Sequence, residues 1–135
     1  MAATHDHDND IVSIQNLNQF HQLLDKETRA CLVDFYADWC GPCKMMGPVL
    51  KMYAERESLK SLVCFVKVDV DVARDVAEAC VINAMPTFQA YVHHQKIGEF
   101  TGARKDQLHN LVEACCRAVQ EKQEAEQQEK KMRLG

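Results

Sequence analysis

The stretch WCGPCK at residues 39–44, entered directly from the apolar run CLVDFYA at 31–37, constrains this chain more than any other feature. A nearly continuous apolar run of strand length predicts a β-strand buried on both faces of a sheet. Gly41-Pro42 then lets the backbone turn and places a proline early in a helix, where its missing N–H removes no hydrogen bond. Met45, Val49, Leu50 and Tyr53 continue as the buried stripe of that helix, fading near Glu57, with a kink expected at Pro48. Two cysteines therefore flank the start of a helix that leaves the end of a buried strand.

The rest of the chain repeats this alternation. IVSI at 11–14 predicts a strand, and Asn16 caps a helix carrying Leu17, Phe20, Leu23 and Leu24 up to Lys26. VCFVKVDV at 63–70 predicts a second buried strand, followed by a short helix over 73–80. Residues 87–92 and 96–100 predict two strands joined by a polar HHQ turn, hence an antiparallel hairpin. From Lys105 a helix presents Leu108, Leu111, Val112, Cys115 and Val119 on one face. The order β-α-β-α-β-α-β-β-α implies parallel pairing first and an antiparallel hairpin after it. The expected fold is α/β: a five-stranded mixed sheet with helices on both sides. One domain is expected over 11–119, preceded by a flexible polar stretch at 1–10. It is followed at 120–135 by a charged helical or disordered extension, in which Glu126 with Lys130 and Glu129 with Arg133 have helix-supporting spacing.

Charge and composition exclude several classes. A net charge of −4 offers no basic surface for nucleic acid or an anionic membrane, and apolar stretches such as Val63 to Val68 are too short to span a bilayer. MAATHDHDND is polar and acidic, and the first arginine is Arg29, so neither a secretory nor an organelle-targeting segment is expected. The expected compartment is cytoplasmic, or also nuclear, where thiols are kept reduced.

Seven cysteines need sorting in that light. Cys31, Cys64 and Cys115 sit within apolar patterns and read as small core residues. Cys80 and Cys116 are candidate regulatory thiols. Cys116, at the edge of the last helix's stripe, is the candidate for an intermolecular disulfide in an otherwise monomeric protein. The His5-x-His7 pair reads as polar tail rather than metal site. Only Cys40 and Cys43 stand among turn residues. Cys-x-x-Cys serves either as half of a zinc site or as a reversible dithiol. Zinc needs a second ligand pair, and neither vicinal Cys115-Cys116 nor the turn pair His93-His94 has the usual geometry, so a redox dithiol fits better. The N–H groups and positive dipole end that open the helix stabilise a thiolate at Cys40. Cys40, expected to be partly exposed, is the candidate nucleophile. Cys43, one turn inside and more buried, is the candidate resolving thiol.

Three further features accompany the pair. Asp34 within CLVDFYA is either a surface carboxylate on an edge strand or a buried proton acceptor for Cys43, acting directly or through a water. Lys67, the lone charge inside VCFVKV, is its candidate neighbour on the adjacent strand. Trp39 reads either as an apolar lid over the site or as a structural ring. Met85-Pro86-Thr87 is either a simple strand start or a cis proline that frees the Met85 backbone to pair with an extended substrate.

Taken together, WCGPCK at 39–44, Asp34, Pro48, Lys67, MPT at 85–87 and Gly98 with Gly102 resemble thioredoxin, over residues 11 to about 119. The resemblance implies the thioredoxin fold, a central five-stranded mixed sheet flanked by four α-helices, with cis Pro86 beside the cysteines. It implies a protein-disulfide reductase working through a redox-active Cys40–Cys43 disulfide with no bound cofactor. Electrons would come from NADPH through a flavoprotein thioredoxin reductase. The implied partners are that reductase and disulfide-containing proteins such as peroxiredoxins and ribonucleotide reductase. Gly98 and the 84–86 loop would belong to the substrate-docking surface. Gly-Pro between the cysteines is similar to the reducing branch of the family. Cys80 matches a position where some animal thioredoxins carry an additional cysteine, although Ala84 occupies another such position. The rival classes are a docking module gated by its redox state and a glutathione-dependent reductase. The missing Cys-Pro-Tyr-Cys type motif argues against the latter.

Overall fold

The computed structural model describes residues 11–135 throughout, together with the backbone of Thr4–His5. The flexible stretch expected at 1–10 and the His5-x-His7 pair otherwise lie outside the described residues. The elements run β1 (Thr4–His5), β2 (Ile11–Ile14), α1 (Leu17–Lys26), β3 (Ala30–Tyr36), α2 (Gly41–Ala54), a 3-10 turn (Glu57–Leu59), β4 (Val63–Asp69), α3 (Arg74–Ala79), β5 (Thr87–Val92), β6 (Gln95–Thr101) and α4 (Lys105–Leu134). They form one sheet in the order β1-β2-β4-β3-β5-β6. The dipeptide strand β1 is an edge addition to the five-stranded mixed sheet. Strands β2, β4 and β3 pair in parallel, and β5 and β6 add antiparallel.

Period-two alternation of β3 and β4 divides the core. Ala30 and Leu32 of β3, with Val63 and Phe65 of β4, pack under α2 and α4 against Met46, Leu50 and Leu108. Cys31, Val33 and Phe35, with Cys64, Val66 and Val68, pack on the opposite face against Phe20 of α1 and Val76 of α3. Cys31 and Cys64 face each other across the β3–β4 pairing and are buried, as expected of small core residues.

Local chemistry explains where the elements begin. The Asn16 side chain accepts from the Gln19 amide at 2.9 Å, and the Asp75 carboxylate of α3 accepts from the Leu17 amide at 2.9 Å. In α2 the buried series is Cys43, Met46, Leu50, Tyr53 and Ala54. Met45, expected on that stripe, is 63% exposed. Cys43 turns toward the sheet and Met46 takes the buried place expected of Met45, while Leu50 and Tyr53 are buried as the apolar pattern predicts. Gly98 is the close-approach glycine of β6: a Cβ there would lie 2.6 Å from Leu111 Cδ1, so α4 rests directly on the strand backbone. Beyond Val119, α4 runs on to Leu134 as an exposed helix, supported by an Arg133–Glu129 ion pair at 2.7 Å.

Two non-glycine residues among those described have left-handed backbone, His93 (φ 53°) and Val81, and the β-branched one works against the fold. Val81, just past α3, has φ 57° and is 70% exposed, a left-handed conformation that a β-branched residue adopts at a cost of about 1–2 kcal/mol. The turn is held by Ile82 N–H donating to Ala77 O at 2.9 Å and Val81 N–H donating to Glu78 O at 3.1 Å. Replacing Val81 with Gly removes the Cβ clash and loses little packing. Set against glycine's greater freedom in the unfolded chain, we expect a net gain of about 1 kcal/mol, or about 4 °C in Tm by thermal unfolding.

Candidate active site

The site sits where β3 ends and α2 begins. Cys40 is the residue that caps α2: its backbone is extended (φ −88°, ψ 110°) and its Sγ accepts from the Cys43 amide at 3.2 Å. Pro42 occupies the first turn of the helix, as the Gly-Pro pair predicts. Cys40 and Cys43 are joined by a disulfide, with their Cα atoms 5.3 Å apart. The expected contrast in exposure is absent: Cys40 is 5% and Cys43 6% exposed. Bonded to each other, both sulfurs settle against Ala37, Tyr36, Val70 and Met85.

Behind the pair lies Asp34, 1% exposed on central strand β3, which rules out the edge-strand reading. It continues the Ala30–Leu32 series, so its side chain enters the α2 side of the sheet. There it is paired in register with Lys67 of β4 on one flank and Phe88 of β5 on the other. Asp34, Tyr36, Ala37, Asp38, Cys43, Lys44, Gly47 and Lys67 line a cavity of about 180 Å³. Asp34 Oδ1 has no hydrogen-bond partner, and the room and polarity beside it suit a bridging water. Burial pushes the Asp34 carboxyl from the ordinary 3.8 up to about 7, with the nearby Lys67 charge opposing the rise. The Lys67 Nζ lies 5.0 Å from the centroid of the Tyr36 ring, over its face.

The other expected residues divide. Trp39 does not line this cavity. It is 68% exposed, and its indole N–H donates to Asp71 Oδ2 at 2.9 Å, which pins the ring at the surface beside the disulfide. The Met85-Pro86 peptide is cis, and Met85 packs on the cysteine pair while its backbone makes no hydrogen bond among the described residues. Thr87 is buried, its hydroxyl donating to Ala84 O at 2.6 Å. Gly98 lies under Leu111 of α4; the glycine in contact with the proline loop is Gly102, whose amide donates to Pro86 O at 2.8 Å. Cys80 is half-buried, its sulfur 3.8 Å from the Tyr91 hydroxyl, and burial pushes its thiol pKa up. Cys116 is half-buried on α4, in a separate groove with Tyr53, Arg56 and His109, and burial pushes its thiol up as well. Neither thiol joins the Cys40–Cys43 cluster. Tyr36, Asp38, Gly47 and Asp71 are not among the expected residues, whereas Lys44 belongs to the WCGPCK motif. Tyr36 was legible in principle, since it follows Asp34 by two and must share its face. Among the described residues, no group of three or more His, Cys, Asp or Glu is placed to hold a metal ion.

Comparison with known proteins points the same way. The thioredoxin family profile matches residues 11–114. The chain is similar to the thioredoxin of Coprinus comatus, with 42% identity over 100 residues that cover 74% of this chain and 92% of the relative. Among solved structures it is similar to Malassezia sympodialis thioredoxin (Mala s 13), with TM-score 0.71, 36% identity, and 77% and 89% of the two chains covered. A chain from work on the thiol-resolving mechanism of yeast mitochondrial 1-Cys peroxiredoxin via glutathione and thioredoxin systems superposes with TM-score 0.68, at 38% identity, covering 75% and 92%.

The buried carboxyl yields a prediction about stability. Between pH 3.8 and about 7 the unfolded chain has released the Asp34 proton while the folded chain retains it. The folded state therefore binds more protons, so stability falls as pH rises through that window and levels off above it. The gap corresponds to about 4 kcal/mol at most. Asp34→Asn is expected to stabilise the protein by about 2–4 kcal/mol at pH 8 and by much less at pH 4, measured by denaturant unfolding of the oxidised form.

Proposed function

The chain belongs to the thioredoxin family of thiol-disulfide oxidoreductases, and we propose that it reduces protein disulfides with Cys40 as nucleophile, Cys43 as resolving thiol and Asp34 as proton acceptor. The observation that carries this reading is the bonded Cys40–Cys43 pair at the first turn of α2, with the Cys43 amide aimed at the Cys40 sulfur. In the reduced protein the same amide and the helix dipole favour the Cys40 thiolate over the thiol.

The thiolate attacks one sulfur of a substrate disulfide, forming a mixed disulfide and releasing the other sulfur as a thiolate that takes a proton from solvent. Cys43 then gives its proton to Asp34 through the shared cavity and attacks the Cys40 sulfur. The Cys40–Cys43 disulfide forms, and the second substrate thiolate leaves. The substrate has gained two electrons and the protein has lost two. Asp34 suits this step because its carboxyl titrates near the working pH and one oxygen has no competing partner. Lys67 supports it as the neighbouring charge across the β3–β4 pairing.

Substrate docking is assigned to the surface around the disulfide: exposed Trp39, next in sequence to Cys40, with the Met85 backbone, unpaired among the described residues, available to an extended segment beside Pro86 and Thr87. With Gly98 under α4, Gly102 takes its place beside that loop. Partners of this class include peroxiredoxins, supported by the yeast peroxiredoxin work noted above, and ribonucleotide reductase. A flavoprotein thioredoxin reductase would restore the dithiol with electrons from NADPH. No described helix is long and apolar enough to cross a membrane. The protein is read as cytoplasmic and monomeric, built on residues 11–119 and extended at 120–135. Cys80 and Cys116 stay outside the cycle.

In an NADPH-coupled assay with a thioredoxin reductase, the protein is expected to reduce insulin disulfides; no turnover with reductase present would overturn the reading. Cys43→Ser is expected to accumulate covalent substrate adducts and lose turnover, with adducts read by mass spectrometry and cleared by dithiothreitol. Asp34→Asn should slow release of the mixed disulfide about 10- to 100-fold while leaving its formation nearly unchanged, seen by stopped-flow.

A further inference from the structure

We propose that Tyr36 is a positioning residue of this site: its ring face holds the Lys67 ammonium close to the Asp34 carboxylate without letting the two pair, so that the carboxylate stays available to accept a proton. The inference rests on the reading of Asp34 as the acceptor. Strand geometry places the three together. Asp34 and Tyr36 lie two residues apart on β3 and share a face, and Lys67 pairs in register with Asp34 on β4. All three line one cavity.

Within that cavity the ammonium has a choice. A lysine beside a buried carboxylate ordinarily closes an ion pair, yet here Nζ stands 5.0 Å above the centroid of the Tyr36 ring and Asp34 Oδ1 is left without a partner. Attraction between a cation and the negative face of an aromatic ring accounts for this placement, and it strengthens where water is scarce. The consequence is electrostatic. A lysine bonded directly to the carboxylate would pull its titration far down and leave a weak base; at ring distance it moderates the effect of burial without cancelling it. The other groups facing Asp34 do not do this. Asp38 comes from the β3–α2 loop and Lys44 from α2; both are exposed, so water screens their charges. Cys43 is neutral in the disulfide, and β5 contributes Phe88. Lys67 itself is also flanked by Asp69, paired with Tyr36 across the same two strands, whose Oδ1 already accepts from the Asp71 amide at 2.9 Å.

The test is a carbon-13 NMR titration of the Asp34 carboxyl in the oxidised full-length protein. It reads the carboxyl directly, whether or not Asp34 later proves to be the acceptor during turnover. Tyr36→Leu is expected to let Lys67 close on Asp34 and to lower the titration midpoint by about one pH unit. Tyr36→Phe keeps the ring face and should leave the midpoint within about 0.3 of the parent. Lys67→Met should raise the midpoint, and adding Tyr36→Leu to it should move the midpoint no further, because the ring then has no cation to hold. Tyr36→Met, similar in bulk, carries the same reading should the leucine variant fail to fold. The proposal is overturned if removing the ring leaves the midpoint in place, if Phe shifts it as much as Leu, or if the shift persists in the Lys67→Met background. A lowered midpoint with unaltered mixed-disulfide release in Asp34→Asn would uphold the role of Tyr36 and reject the catalytic role of Asp34.

Discussion

Everything at this site follows from a single hydrogen bond at the start of α2, in which the Cys43 amide meets the Cys40 sulfur at 3.2 Å. Helix starts normally recruit Ser, Thr, Asp or Asn to satisfy their free amides. Placing a cysteine there gives the capping role to an atom that can carry charge, leave, and bond again. The disulfide and the thiolate are thus two occupants of one capping position. Gly41 and Pro42 can separate the cysteines because neither must supply the amide that does the capping.

A second constraint is the two-residue period of the central strands. It sends alternate residues of β3 to opposite cores, and Asp34 and Tyr36 fall on the side that faces α2. A one-residue slip of β3 against β4 would put the carboxylate into the Phe20–Val76 core and separate it from both Cys43 and Lys67. The apolar residues of the strand fix its register, and the register is what sets a buried acid beside Cys43 and Lys67. Packing and chemistry are therefore set by the same few residues.

The sequence made the larger outlines legible because they rest on local rules. The Asn16 cap, the strand at 31–37, the hairpin and the Cys-Gly-Pro-Cys junction each depend on neighbours within a few residues. What it hid depends on long-range fit. Met45 and Met46 are both apolar, and only the orientation of Cys43 toward the sheet decides which is buried. Gly98 invited a docking role, whereas its lack of a side chain answers to Leu111, thirteen positions away on another element. Trp39 suggested a lid, but Asp71 holds it at the surface. The matched exposure of the two cysteines depends on Tyr36, Val70 and Met85, which come from three separate parts of the chain.

The last helix has a mechanical consequence. Lys105–Leu134 is continuous over 30 residues, and its apolar contacts end at Val119. Lys122 still reaches the β5–β6 turn, its Nζ 3.1 Å from His93 Nε2, and at 1.5 Å per residue the helical residues after it carry the chain about 18 Å further. Anything joined to Gly135, whether a dye or a fused domain, would ride at a set radius and bearing instead of sweeping a volume as on a slack tether. A helix of this kind would set the distance between the domain and whatever it carried.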